Sequence, residues 1–277
     1  MKISYHAWKA YKECPKKFYL KHFKWQPPPV PLDDYHTIYG KLTEKFFEYF
    51  CNIWRFNMPY MPTDEIRFKL EKIYENLLKT CTVNWSAPYA TVSKDQIFEQ
   101  SFNDICAIMD SPNQNYFLNT KSEIAINVET KHNAIMTSRL DFIHKDPMGQ
   151  SVLIFDGKGA GKIGKNVSDD QVIYYGLLYY FHFKQMPDEL GFFYYRYNTF
   201  VPVEINLNIL NEFRARLSLD IKTITEDKNF YPTPTASACK YCDYQTACYE
   251  CMESRAARKR KSKVSISDEE GIFEGGL

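Results

Sequence analysis

The spacing of hydrophobic positions changes near Lys121. Before this point apolar residues recur at intervals of three and four, as they do in amphipathic helices. After it come SEIAINVE, AIMTSRLDFIH and QSVLIFD, three short segments rich in β-branched residues. Turn-forming residues at His132-Asn133 and Pro147-Met148-Gly149 separate these segments. The pattern predicts a helical N-terminal subregion followed by an antiparallel meander of three strands.

Prolines divide the helical region. A break at Cys14-Pro15 splits the helical pattern of residues 4–21, since proline suits the first turn of a new helix. The proline-rich residues 26–31 predict a stiff, extended connector. Further helices are expected from residue 40 to about residue 56, and two or three more between about residues 63 and 118.

The pattern continues beyond the meander with a glycine-rich loop, GKGAGKIGKN, and the helix QVIYYGLLYYFHF. This helix is apolar almost all round, so we expect it to pack on the sheet. ELGFFYYRYN and TFVPVEINL predict two more strands, and an amphipathic helix is expected from about residue 207 to residue 226. The order of elements predicts an α/β fold, a mixed sheet with flanking helices.

Composition adds little about function. Lys and Arg number 35 against 34 Asp and Glu, so a nucleic-acid partner would have to be held by a local basic surface. The N-terminal segment MKISYHAWKAYKECPKK lacks the apolar core of a signal peptide, and the longest apolar run, residues 172–183, is too short to span a bilayer. We therefore expect a cytoplasmic protein without a membrane partner.

Eight cysteines in a reducing compartment are not expected to form disulfides. Four of them fall within residues 239–251, and such crowding favours metal or cluster ligation. Cys51, Cys81 and Cys106 lie on helical patterns and are expected to be buried apolar residues. The last residues, 253–277, are basic and then acidic without an apolar pattern, which predicts a flexible charged tail.

Acidic residues end two neighbouring strands of the predicted meander. Asp141 ends the second strand, and Asp156-Gly157-Lys158 ends the third, where residues two apart point to the same face. Two such carboxylates could hold Mg²⁺ or Mn²⁺ for phosphodiester hydrolysis, and the lysine could orient the attacking water. A solvent-facing ion pair is the alternative. The apolar surroundings, SRLDFI and VLIFDGK, favour partly buried acids that need a partner.

These motifs and their order resemble the RecB-like branch of the PD-(D/E)XK nuclease superfamily over residues 4–248. That branch carries a G-x-x-x-H helix, a G-x-x-D strand, a D/E-x-K strand and a Q-x-x-x-Y helix. The corresponding residues here are Gly40 to Glu44, Ser138 to Asp141, Asp156 to Lys158, and Gln171 with Tyr175. The resemblance implies a restriction-endonuclease-like fold and metal-dependent cleavage of DNA.

The chain departs from the family pattern at Glu44, which stands where the family has a ligating histidine. The resemblance implies that Glu44 joins Asp141 and Asp156 as a metal ligand, with an altered preference between Mg²⁺ and Mn²⁺. The change from histidine to Glu44 leaves an inactive or retuned nuclease open. An exposed helical residue without a role in the site is the alternative interpretation of Glu44. By the same resemblance Gln171 and Tyr175 contact DNA or the active-site lysine, and a core or capping role is equally open.

The cysteines carry a second resemblance. C-x2-C-x5-C after YPTPTASA is similar to the C-terminal triad of iron–sulfur RecB-like nucleases, such as AddB-type enzymes and the CRISPR-adaptation exonuclease. Those proteins have a distant fourth ligand in Y-x-x-C-P-x-x-F, a motif that residues 11–18 match. The resemblance implies a 4Fe–4S cluster that joins the two ends of the chain, held by Cys14, Cys239, Cys242 and Cys248. Zinc held by a local set with Cys251 is an alternative, and simple core thiols are another.

The glycine-rich loop nearly spells a phosphate-binding P-loop. That motif needs Ser or Thr after its lysine, and Asn166 follows Lys165 here, so an NTPase is disfavoured. Lys162 and Lys165 could instead contact DNA phosphates. A mobile, solvated loop is the alternative.

We expect one nuclease domain and a tail, with boundaries at residues 1–252 (helical insertion 40–118, catalytic core 121–226, cluster-binding segment 232–251 with Cys14) and 253–277. The resemblance implies an exonuclease on single-stranded DNA or DNA ends, in recombination, repair or CRISPR spacer processing. Helicase motifs are lacking, so the protein would act alone or with a separate helicase or CRISPR integrase. The rival hypothesis is a non-catalytic nucleic-acid-binding or scaffold protein with a zinc or iron–sulfur staple.

Overall fold

A computed structural model of the chain describes most residues up to 235 and a few beyond. The described residues are 1–23, 35–54, 63–81, 92–117, 119–146, 148–159, 162–164 and 167–235, together with Cys239, Cys242, Tyr244 and Cys248. The chain divides into two compact units. The first comprises Met1–Tyr5 and Leu32–Thr225, and the second comprises His6–Pro31 and Glu226–Leu277.

The first unit contains a mixed sheet of six described strands. Their bounds are β1 Lys2–Ile3, β2 Thr120–Glu129, β3 Ile135–Lys145, β4 Val152–Lys158, β5 Glu189–Tyr194 and β6 Thr199–Val203. The pairs β2–β3 and β3–β4 are antiparallel, which confirms the predicted meander. β4 and β5 are parallel, and β5 and β6 are antiparallel. The predicted α/β fold with a mixed sheet and flanking helices is thus confirmed.

The short strand β1 was not predicted. It pairs in parallel with the first residues of β3, Lys2 with Ile135 and Ile3 with Met136. β2 pairs along nearly the whole length of β3, so β1 and β4 must share the opposite edge of that strand. The Tyr174 hydroxyl donates a hydrogen bond of 2.8 Å to the Ile3 carbonyl, which helps to hold β1 in place.

Helices cover the sheet on two faces. α3 (Tyr35–Trp54), α4 (Thr63–Thr80) and α5 (Lys94–Met109) form one aromatic-rich core with the sheet. Within it the Phe47 ring lies 4.9 Å from that of Phe142 and 6.0 Å from that of Phe155. α6 (Asp170–Phe183) crosses between the parallel strands β4 and β5, and it contacts β2 to β5, as its apolar pattern predicted.

The remaining elements of the first unit follow the predicted order. α3 begins at Tyr35, ahead of the predicted residue 40, and α7 spans Leu207–Glu226 as predicted. Short 3-10 helices lie at Pro112–Phe117 and Tyr195–Tyr197. Among the described helices, none is both long and apolar enough to cross a membrane.

The second unit joins N-terminal helices to a C-terminal segment. α1 (Tyr5–Glu13) and α2 (Pro15–His22) meet at Cys14, whose extended backbone confirms the predicted break. The Phe230 ring stacks 6.0 Å from that of Phe18 and 5.1 Å from that of Tyr19. The Tyr11 hydroxyl donates a 2.7 Å hydrogen bond to Asp227, and the Thr233 hydroxyl donates one of 3.0 Å to the Glu13 carbonyl.

The predicted domain boundaries stay a prediction. Residues 253–277, the predicted tail, lie outside the described residues, as do the proline-rich residues 26–31.

Candidate active site

The predicted acidic pair and lysine lie on adjacent strands. Asp141 belongs to β3, and Asp156 and Lys158 to β4. The Lys158 ammonium nitrogen lies 2.5 Å from Asp156 Oδ2, and the Asp156 residue is only 2 % exposed. The motif is therefore an ion pair between a buried acid and a partly exposed lysine, and its acid does not face solvent as the alternative required.

Helix α6 brings an amide to this pair. Gln171 Nε2 donates a short hydrogen bond to Asp156 Oδ1, and Lys158 Nζ donates one of 3.3 Å to Gln171 Oε1. Gln171 Nε2 lies 3.1 Å from the hydroxyl of Tyr175, one turn further along. Gln171 thus links the acid and the lysine. Gln171 is not the N-cap residue of α6, because Asp169 occupies that position. Asp169 itself makes no side-chain capping hydrogen bond.

Ser138, which replaces a family glycine, also reaches this network. Its side chain hydrogen-bonds to Tyr175. Burial raises the pKa of the Tyr175 phenol, and the nearby carboxylates of Asp141 and Asp156 raise it further. Tyr175 is therefore un-ionised and can donate its hydroxyl proton.

The two aspartates are close enough to share a proton. Burial raises the pKa of Asp141 well above its ordinary value, and the neighbouring carboxyls of Asp156 and Glu44 raise it further. A side-chain hydrogen bond between Asp141 and Asp156 adds to the effect. Two buried carboxylates in contact cannot both stay ionised without a proton or a cation between them.

Glu44 brings a third carboxyl from α3. Burial raises its pKa to about 7, with Glu48 the largest charge contribution, while Lys45 opposes the shift. The Asp156 carboxylate also raises it. Glu44 is only partly exposed, so it does not match the alternative of an exposed helical residue.

A close glycine contact explains how α3 comes so near to β4. A methyl group built on Gly159, just after β4, would overlap the Cα atom of Gly40 and lie 3.2 Å from its nitrogen. A side chain on Gly40 itself would meet nothing within 4 Å in the described part of the chain. The close approach therefore requires glycine at position 159 but not at position 40. Glu44 lies one helical turn beyond this contact.

The donor set fits a hard divalent cation. Glu44, Asp141 and Asp156 offer carboxylate oxygens, the ligands that Mg²⁺ and Mn²⁺ prefer. Asp156 Oδ2 is buried and accepts no hydrogen bond from any described residue, although Lys158 lies beside it. Among the described residues, no group of three or more His, Cys, Asp or Glu is arranged to hold a metal ion as the side chains stand.

Glu123 is a neighbour that the sequence did not single out. It lies opposite Asp141, where the β2–β3 pairing is interrupted between Ser122–Phe142 and Ile124–Leu140. Its φ of 52° is strained for a glutamate. Its carboxylate lies 3.0 Å from Arg139 and 3.6 Å from Lys45. Nothing in SEIAINVE signals this distortion.

A comparison with protein families shows which superfamily the chain belongs to. A family model of the PD-(D/E)XK nuclease superfamily matches residues 2–249. The chain belongs to this superfamily. It is therefore a nuclease by family, and PD-(D/E)XK nucleases generally use Mg²⁺ or Mn²⁺.

One of the solved structures compared with this chain shares its overall fold. A crystal structure from Eubacterium rectale, described as "Putative exonuclease", has a TM-score of 0.53 at 10 % identity and covers 91 % of this chain and 87 % of its own. This likeness concerns the fold alone. A structure named SSO0001 has a TM-score of 0.32 at 15 % identity over 60 % of this chain and 78 % of its own. Among curated proteins, none matches significantly.

The glycine-rich loop of this PD-(D/E)XK nuclease is described only in part. Lys162 is exposed, and the Gly164 nitrogen donates a 2.9 Å hydrogen bond to the Tyr194 hydroxyl. Lys165 and Asn166 lie outside the described residues.

Cysteines of the second unit surround a small cavity. Cys14, Cys239, Cys242 and Cys248 line the same space of about 20 Å³, together with Pro232 to Pro234, Tyr244 and residues of α1 and α2. Cys14 precedes α2, and the Cys239 nitrogen donates to the Thr235 carbonyl. Cys251 lies outside the described residues.

The other cysteines belong to the core of the first unit. Cys51 is fully buried, as predicted. Cys81 and Cys106 pack against the same core but are only partly buried, so the prediction of buried residues was wrong for these two.

Proposed function

We propose that this protein is a metal-dependent DNA exonuclease that acts on single-stranded DNA or DNA ends. The observation that carries the proposal is the contact between the buried Asp156 and the partly buried Asp141, with Lys158 beside Asp156. Such a pair needs a proton or a cation between its carboxyls, and the lysine alone cannot neutralise two or three carboxylates. A non-catalytic binding protein would gain nothing from this costly arrangement.

Each side chain has a role in hydrolysis. Asp141 and Asp156, with Glu44, would hold Mg²⁺ or Mn²⁺. The bound cation supplies charge for the phosphate oxygens and a more acidic water. Lys158 orients the attacking water and stabilises negative charge on the phosphate.

The α6 residues support these groups. Gln171 fixes Asp156 and Lys158 relative to each other, since it hydrogen-bonds to both. Tyr175 fixes Gln171 in turn. Gln171 and Tyr175 lie on α6, so either side chain could contact DNA only if the substrate reached this helix. We assign them positioning roles first and DNA contact second.

The resemblance to RecB-like nucleases supports an exonuclease in recombination, repair or CRISPR spacer processing. Exposed Lys162, and Lys165 close by in sequence, are candidates for contact with DNA phosphates. A separate helicase or CRISPR integrase is the expected partner class.

The nuclease proposal is tested with end-labelled single-stranded, duplex and circular DNA in Mg²⁺, Mn²⁺ or EDTA. Wild type should shorten linear DNA, leave circles intact and stop in EDTA. Asp156→Asn and Lys158→Ala should lose at least about 100-fold in rate. Asp146→Asn is the matched control, because Asp146 binds the Ser151 nitrogen in the β3–β4 turn and lies away from the site. Equal cleavage by all four proteins would leave the scaffold hypothesis standing.

We further propose that Cys14, Cys239, Cys242 and Cys248 hold a 4Fe–4S cluster, with zinc as the alternative. Their shared cavity supports common ligation, and four thiolates suit either metal. Protein purified without oxygen should be brown and contain iron and sulfide, and Cys14→Ser should lose both. Cys51→Ser changes a core thiol and should keep them. Zinc without iron in the wild type would decide for the alternative, and loss of metal only with Cys251→Ser would favour the local set.

A further inference from the structure

A buried tyrosine hydroxyl beside the active site has no hydrogen-bond partner among the described residues. Tyr195 is 1 % exposed, and its hydroxyl bonds to no described residue. Buried hydroxyls are nearly always paired, because an unpaired one loses its bonds to water without compensation. This group therefore invites a functional explanation.

Gly157 provides the room for this hydroxyl. A methyl group built on Gly157 would overlap the Tyr195 hydroxyl oxygen, so the middle residue of Asp156-Gly157-Lys158 can only be glycine with Tyr195 in this place. Along a strand, Gly157 points away from the face that Asp156 and Lys158 share. The hydroxyl thus lies directly behind the motif, on the side of α3.

The ring of Tyr195 is fixed against the helix that carries Glu44. It lies 5.3 Å from the ring of Phe47 and 5.9 Å from that of Phe193. Phe47 and Cys51 follow Glu44 by three and seven positions, so all three share one face of α3. Burial raises the pKa of Tyr195 well above its ordinary value, and Glu44 adds more to the shift than Asp141 or Asp156 does.

We propose that Tyr195 is a positioning residue that donates its hydroxyl to the Glu44 carboxylate and so directs the other carboxylate oxygen to the divalent cation. This inference rests on the proposed function. A carboxylate oxygen that does not bind the metal needs a donor, and groups that orient a ligand strengthen metal binding. A rigid, buried phenol supplies that donor without a further loss of side-chain freedom.

Binding of Mn²⁺, measured by electron paramagnetic resonance without DNA, tests the proposal. Tyr195→Phe should weaken binding about tenfold. In a Glu44→Gln background the same change should have little further effect. In the nuclease assay Tyr195→Phe should raise the metal concentration for half-maximal rate and leave the rate at saturating metal near wild type. Folding is not at risk, because the ring stays and no existing bond is lost.

Tyr179→Phe is the matched control. Tyr179 is equally buried, and its hydroxyl donates to Gln185 at the far end of α6. Unchanged Mn²⁺ binding by Tyr195→Phe would overturn the proposal, and so would an equal loss in both Glu44 backgrounds. Asp156→Asn separates the failures. If it too binds Mn²⁺ like wild type, the metal site itself is misplaced and the proposed function fails with it.

Discussion

At the scale of single residues, Glu44 is the departure from the family pattern with the clearest chemical consequence. A carboxylate in place of an imidazole keeps an oxygen donor and adds a negative charge. Oxygen donors suit Mg²⁺, whereas imidazole suits softer transition metals. Asp156 raises the pKa of both Glu44 and Asp141, and Glu44 raises that of Asp141, so metal binding relieves a repulsion that a histidine would not create.

Replacement of Glu44 should therefore change metal use in a graded way. Glu44→Ala should raise the Mg²⁺ concentration for half-maximal cleavage by at least about tenfold, since even groups that only orient a ligand contribute that much. Glu44→His should recover cleavage with Mn²⁺ better than with Mg²⁺. Metal titrations of initial rates measure both effects. Wild-type behaviour of Glu44→Ala would remove Glu44 from the ligand set.

Asp227 predicts a pH dependence in the second unit. Burial opposes the shift, but hydrogen bonds from the Phe230 nitrogen, the Tyr11 hydroxyl and the Asn229 nitrogen hold the pKa of Asp227 below its ordinary value. A lowered pKa contributes stability above the unfolded value, about 3.9, and that contribution is lost as pH falls through the folded value.

Asp227→Asn should accordingly melt below wild type at pH 7, and the two melting curves should converge under acid conditions below about pH 3.9. Tyr11→Phe should give a smaller loss that does not add to that of Asp227→Asn, since the two share one hydrogen bond. A difference that stays constant down to acid pH would contradict the assignment.

At the scale of elements, the approach of α3 to β4 depends on one glycine more than on the other. Gly159→Ala would force its methyl group into the Gly40 backbone, move α3 and displace Glu44. We expect it to lower the rate by about tenfold or more, because small displacements of catalytic groups are costly. Gly40→Ala has open space and improves helix propensity, so its melting temperature should rise with activity retained. Equal losses in both variants would contradict this account.

An element could be predicted where its own residues carry a hydrophobic period, and could not where its position depends on a distant partner. The strands of the meander and α7 carry a clear local period, so their positions were predicted closely. β1 has two residues and no period, and its place depends on a partner far along the chain.

The candidate site divides in the same way. Asp141, Asp156 and Lys158 follow from the strand pattern, and the order of family motifs pointed to Gln171 and Tyr175. Glu123 and Tyr195 could not be found, because one depends on strand register and the other on packing behind a glycine. Neither leaves a local signature.

At the scale of the whole molecule, metal binding should couple to stability. A ligand at about 100 times its dissociation constant stabilises by about 2.7 kcal/mol, or roughly 5 °C in melting temperature for a chain of this size. The melting temperature of the wild-type protein should be higher by this amount in saturating Mn²⁺ than in EDTA. Asp141→Asn should melt higher than wild type in EDTA, because the carboxyl repulsion is relieved, and gain little from Mn²⁺. Equal gains in both proteins would place the stabilising ion elsewhere.

The second unit is assembled from segments at opposite ends of the chain, with Phe230 stacked on Phe18 and Tyr19. During translation the first helices leave the ribosome long before their partners exist. Their aromatic face therefore lacks its packing partners until the chain beyond residue 225 has been made. A nascent chain stalled after residue 225 would therefore already carry every carboxylate of the candidate site, yet lack the segment that covers its own beginning.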